Sequence, residues 1–119
     1  MDGQSADISE YTISRYNASG IEVWIKGKAR LCAQGSKVLD VGAGAAPYRN
    51  FFRHCDYQAH DFCKNPEHVP YSSYITIVSD ITAIPVADET FDSVLCTEVF
   101  EHIPEPIKAI KEIARILKK

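Results

Sequence analysis

A three-layer α/β domain built on a mostly parallel sheet is what this sequence predicts, and three observations predict it. Apolar runs of strand length recur between residues 37 and 97, separated by stretches suited to turns and short crossovers. The first run ends in a glycine turn followed by a proline, in the stretch Lys37–Tyr48 (KVLDVGAGAAPY). Acids then fall at or near the carboxyl ends of the first three runs: Asp40, Asp61 and Asp80. In an open parallel sheet that edge is where ligands bind, at the point where the strand order reverses.

Taken in order, residues 1–36 predict an N-terminal helical segment that packs on the sheet. Ile8, Tyr11, Ile13 and Tyr16 give a first helical pattern, which Asn17-Ala18-Ser19-Gly20 breaks. Ile21, Trp24, Ile25, Ala29, Leu31 and Cys32 give a second helix with one apolar face, and Gly35 suits the position just past its end. These helices either simply cover the sheet or also help to cap a ligand site.

Residues 37–119 hold the sheet. Val38-Leu39-Asp40-Val41 is too short for a helix and reads as the first strand. Gly42 and Gly44 turn the chain, and Pro47 suits the first turn of a helix over residues 48–54, with Tyr48, Phe51 and Phe52 toward the sheet. The second strand runs from Asp56 to Phe62. Pro66 and Pro70 rule out a full crossover helix between Cys63 and Ser73, so a compressed loop joins it to the third strand, residues 74–80. Phe91–Thr97 is the fourth strand, apolar enough to be covered on both faces. Pro104 and Pro106 open a last helix. Its apolar stripe is Ile107, Ile110, Ile113, Ala114 and Leu117, and Lys108, Lys111, Arg115, Lys118 and Lys119 form its wet side.

Composition narrows the function. A chain with 45% hydrophobic and 24% charged residues is a soluble globular domain, and a net charge of −3 argues against non-specific nucleic-acid binding. No apolar run approaches the roughly 18 residues that span a bilayer, and the polar, acidic start is no secretory signal. Cys32, Cys55, Cys63 and Cys96 are irregularly spaced and read as reduced thiols, so the expected compartment is the cytoplasm. His54, Cys55, His60, Cys63 and His68 are competent zinc donors, but their spacing matches no common ligand pair; no metal is expected.

The acids specify a nucleoside. Asp61 lies 19 residues past Gly42, near the spacing at which a carboxylate accepts hydrogen bonds from ribose hydroxyls. Asp80 can accept from an exocyclic adenine amine in the same way. A dinucleotide is disfavoured, because the sixth position of its glycine pattern is Pro47 and Asp40 would repel a pyrophosphate. A cofactor with a cationic amino-acid end suits Asp40 instead.

These residues carry a family resemblance. LDVGAGAAPYRNFF resembles the first motif of the class I S-adenosylmethionine (SAM)-dependent methyltransferases, with Ala46 where a third glycine is common. YQAHDF resembles their second strand, and SDITAIPVADETFDSVLCTEVFEHIPEP is similar to the next two motifs. The resemblance spans Lys37 to Lys119 and implies a Rossmann-like fold with SAM as cofactor. It implies a cofactor shell of Asp40, Gly42, Ala43, Gly44, Asp61, Phe62, Asp80, Ile81, Thr97 and Glu98. Asp61 would take the ribose, Asp80 and the Ile81 backbone the adenine, and Thr97 and Glu98 would lie beside the methionyl part. His102 is the one candidate base for an acceptor that must lose a proton, and its plainer reading is a histidine that packs after the fourth strand.

Two function classes follow: a methyltransferase acting on a small-molecule acceptor, or a truncated module that binds the cofactor without turnover. Relative to the family, the chain stops where the central helix ends, so the fold is expected to be truncated after strand four. That strand would form an exposed apolar edge, and the expected partner is a second copy of the chain paired or packed there.

Overall fold

The computed structural model describes residues 18–62, 73–97 and 103–119. The expected first helix before Ala18 and the loop over 63–72 lie outside the described residues. Helix α1 spans Ala18–Leu31; strands β1 (Lys37–Val41), β2 (Asp56–Asp61), β3 (Ile75–Val78) and β4 (Ser93–Cys96) follow, and helix α2 spans Pro106–Ile116. A 3-10 helix over Arg49–Phe52 links β1 to β2, shorter than the helix expected there. The strands form one sheet in the order β3-β2-β1-β4, every pair parallel. Strand order reverses between β1 and β4, which puts the switch point at the end of β1, beside the glycine turn.

Alternation along β1 makes the three layers. Leu39 and Val41 point into a core with Ile77, Ile81, Ile84, Phe91, Ala109 and Ile116, on the α2 side. Val38 points the other way, into a second core with Ile25, Ala29 and Phe52 beneath α1. Asp40 shares the face of Val38.

Several expectations change. Ala18, Ser19 and Gly20, expected to break the N-terminal helices, instead lie within α1. Leu31, expected on the buried face of α1, is 79% exposed. Gly35 takes φ 80° in the turn into β1, four residues after the helix ends, and its N–H donates to the His54 carbonyl. Strands β3 and β4 are shorter at both ends than the apolar runs that predicted them. Among the described residues strand β4 is an edge and is half-buried at every residue, with Val94 and Cys96 against the α2-side core and Leu95 against the α1-side core, so each face is covered in part.

The largest correction concerns α2. Its buried row is Ala109, Ile113 and Ile116, while Ile107 and Ile110 are 67% and 55% exposed and Ala114 is exposed. The helix is rolled because Glu112 and Arg115 hold the segment Ile84–Asp88. Arg115 forks onto both Glu112 oxygens at 2.8 and 2.9 Å and donates to the carbonyls of Ile84 and Val86 and to Asp88. The other role of Glu112 is to accept the Ile84 N–H at 2.6 Å. Arg115 is therefore a clamp rather than part of the wet side. The last carbonyls of α2 are satisfied by the N–H groups of Glu89, Thr90 and Phe91, which stitch the helix end to the start of β4.

Phe91 sits fully buried at that stitch. Phe91→Ala should cost about 3–5 kcal/mol in urea denaturation, the range for emptying a buried aromatic site. Arg115→Lys keeps the charge and loses the fork, so its melting temperature by circular dichroism should fall below that of the parent.

Candidate functional site

The glycine turn is left-handed three times: Gly42 has φ 67°, Gly44 φ 57° and Ala46 φ 55°. Ala46, at the place where the family often has a third glycine, thus takes a glycine-like conformation despite its side chain. Such a turn presents successive backbone N–H groups, and each needs a partner. Here the end of β2 supplies all three. Gly42 N–H points at His60 Nδ1 (3.4 Å), Ala43 N–H donates to the His60 carbonyl (2.8 Å), and Gly44 N–H donates to Asp61 Oδ2 (2.7 Å). Among the described residues, nothing lies within 4 Å of where a Gly44 side chain would begin, so a ligand can approach that backbone closely.

Asp61 is half-buried at the carboxyl edge. A carboxylate has about four acceptor sites, so the Gly44 bond does not exhaust it. Asp80 is exposed beyond β3, where its Oδ1 accepts from both the N–H and the hydroxyl of Thr82, at 2.8 and 2.7 Å. That cap fixes the turn carrying Ile81, whose side chain is fully buried in the α2-side core. Phe62 is half-buried and meets the His60 ring edge-on at 6.0 Å between centroids. Thr97 is half-buried just past β4, and Ala43 is buried in the turn. Glu98 and His102 lie outside the described residues.

Asp40 is only 1% exposed. Tyr57 on β2 donates its hydroxyl to Asp40 Oδ2 at 2.6 Å. The carboxyl lies beneath the turn rather than at its surface, and burial raises its pKa to about 6 even though the Tyr57 bond opposes the rise. Burial also pushes the Tyr57 hydroxyl up, with the Asp40 charge adding to the shift.

Two site residues escaped the sequence reading. Tyr57 was signalled by alternation: in register, Val38 pairs with Tyr57 and Asp40 with Ala59, so Tyr57 and Asp40 share one face. His60, weighed in sequence as a zinc donor, is fully buried, with Nε2 at 2.9 Å from the Ser79 carbonyl and 3.1 Å from its hydroxyl. His54, from the same group, bonds the carbonyls of Ala29 and Cys32 instead. Among the described residues no three His, Cys, Asp or Glu side chains cluster as metal ligands would.

The Asp40–Tyr57 pair sets a pH dependence. With a folded pKa of about 6 above the ordinary 3.8, the folded state holds more protons between those values. Asp40's contribution therefore stabilises most below pH 4 and declines as pH rises to about 6, by up to about 3 kcal/mol. Tyr57→Phe should lose about 1–3 kcal/mol at pH 8 in urea denaturation and less at pH 4.5, where a protonated Asp40 needs the phenol less.

Comparisons with known proteins agree with this geometry. The sequence model of a methyltransferase domain matches residues 39–119. A ubiquinone biosynthesis O-methyltransferase of Xanthomonas oryzae pv. oryzae is 31% identical over 100 residues, covering 76% of this chain and 42% of that protein. The chain thus spans less than half the length of the curated relatives it matches across most of its sequence. In fold it is similar to the YcgJ protein of Bacillus subtilis, with TM-score 0.66 and 24% identity over 82% of this chain and 46% of that one. A SAM-dependent methyltransferase from Aquifex aeolicus superposes with TM-score 0.60 and 22% identity, over 79% and 58% of the two chains. Four parallel strands in this order, the braced glycine turn and a family match over most of the chain lead to one assignment: the chain belongs to the methyltransferase-domain family.

Proposed function

We propose that this chain binds S-adenosylmethionine at the carboxyl edge of β1–β3 and supports methyl transfer from it to a small-molecule acceptor in the cytoplasm. The observation that carries the reading is the Asp61 carboxylate seated against the Gly44 N–H, beside open backbone. The residues present fit the cofactor. Asp61 offers acceptors to a ribose diol, Asp80 and the Ile81 backbone serve the adenine side, and the family resemblance assigns Thr97 and Glu98 to the methionyl part. Asp40, buried beneath the turn, acts on a cationic ligand through its field rather than by contact.

When bound, the cofactor supplies an already activated methyl group. What the chain's residues contribute is position and shielding from water, and His102 is the candidate base for an acceptor that carries a proton. Titration calorimetry tests the first step. The parent should bind both SAM and S-adenosylhomocysteine, and Asp61→Ala should lose at least ~1 kcal/mol, about fivefold, in each. No heat with either ligand in a folded sample overturns the reading.

A pH series separates the role of Asp40. SAM carries a sulfonium charge that its demethylated product lacks. SAM affinity should therefore fall more than that of the product as pH drops from 7.5 to 5 and Asp40 takes up its proton.

A second reading, a cofactor-binding module that acts through dimerisation, draws support from β4. Among the described residues β4 pairs on one side only. Beside it runs a groove of about 520 Å³ lined by Trp24, Leu31, Val38, Phe52, Val94 and Leu95. A second copy of this chain is the proposed occupant, because a like edge can pair with it and cover the exposed Leu31. Light scattering at high micromolar concentration should give twice the 13.3 kDa chain mass, and a strict monomer overturns it.

A further inference from the structure

One buried polar side chain has no part in the cofactor contacts proposed above. His60 is fully buried, yet both of its ring nitrogens are engaged. On one side, Nδ1 faces the Gly42 N–H in the glycine turn at 3.4 Å. On the other, Nε2 lies 2.9 Å from the carbonyl of Ser79, next to Asp80. The ring therefore spans from the end of β1, across β2, to the end of β3.

The partners determine the proton. A carbonyl can only accept and an amide N–H can only donate, so Nε2 carries the hydrogen and Nδ1 is bare. A second proton on Nδ1 would set two N–H groups against each other at Gly42. Burial lowers the imidazole pKa and so favours the neutral form, although the Ser79 bond and the charges of Asp61 and Asp80 oppose it. A hydrophobic side chain here would leave the Gly42 N–H and the Ser79 carbonyl without the partners the ring gives them, so the ring ties the two turns together.

We propose that His60 is a positioning residue for the cofactor, a neutral strap that sets the glycine turn and the Ser79–Thr82 turn at a fixed separation so that the methionyl and adenine ends of one ligand are received together. This rests on the cofactor reading above. His60 touches no ligand itself. It acts through Gly42 and Ala43 on one side, and through Ser79 on the placement of Asp80 and Ile81 on the other.

The test uses the full chain with S-adenosylhomocysteine at pH 7.5, in three variants. His60→Leu keeps the volume and removes both bonds. His60→Asn keeps an acceptor near the Nδ1 position, and His60→Gln keeps a donor near Nε2. Affinity should fall at least tenfold in the leucine variant and by an intermediate amount in the other two. Amide exchange in the ligand-free chain should speed up at Gly42, Ala43 and Thr82 ahead of the rest of the sheet. If the leucine variant does not fold, the graded loss in the two amide variants carries the test. A folded leucine variant with parent affinity overturns the strap alone, as does exchange that rises evenly across all four strands. Failure of all three variants to fold also overturns it, since the ring would then be a core residue only. A parent chain that binds neither SAM nor its product would overturn the cofactor reading itself, and the strap with it.

Discussion

Three successive N–H groups in a left-handed turn need partners, and the last two residues of β2 provide them. Turns of this kind are intrinsically unstable because their donors lie outside any helix or ladder and their backbone is strained where a side chain is present. Ala46 shows the size of the strain. A left-handed alanine costs roughly 1–2 kcal/mol, and it is held here with its methyl fully buried beside Ala43 and Ala59. The bonds from Gly42, Ala43 and Gly44 to His60 and Asp61 offset that cost, and every one of these partners belongs to the chain itself. The parallel register of β1 and β2 is what places those two residues opposite the turn.

The same register creates the opposing term. Putting Val38 into the α1-side core also puts Asp40 there, since the two share a face of β1. Burying that carboxyl lowers stability at neutral pH, and the Tyr57 hydroxyl recovers only part of the loss. A valine or alanine at this position would remove the buried charge but leave the Tyr57 hydroxyl without its acceptor. Under the proposed function that charge faces a ligand of opposite sign above the turn, with Asp40 supplying field from below and Asp61 supplying contact at the rim.

Much of this was legible in the sequence, for a specific reason. Short β-rich runs, a Gly-x-Gly turn and acids at run ends are local signals, and they predicted the sheet, its direction and the place of Asp61 and Asp80 at its carboxyl edge. What depended on the rotation of one element against another was not legible. The stripe on α2 illustrates this: Ile107 and Ile110 fit a helical period as well as Ala109 and Ile116 do. Periodicity alone cannot choose between two parallel apolar rows. The choice is made by Glu112 and Arg115, whose bonds to residues 84–88 come from a different part of the chain. His60 was missed for a related reason. Its partners, Gly42 and Ser79, are 18 and 19 residues away, just past the ends of two different strands, and only the assembled sheet brings them to one ring.

The layout separates two tasks that one fold must perform. The N–H groups of Gly42, Ala43 and Gly44 all find their partners on β2, and the Ser79–Thr82 turn is capped by its own Asp80 and joined to β2 through His60. Strand β4 lies on the other side of β1 and brings only Thr97, among the described residues, to the carboxyl edge. The β2 partners of the glycine turn therefore do not depend on what covers the β4 edge or the groove beside it. The turn and the β4 edge are in this sense separate parts of the structure, divided at the switch point between β1 and β4.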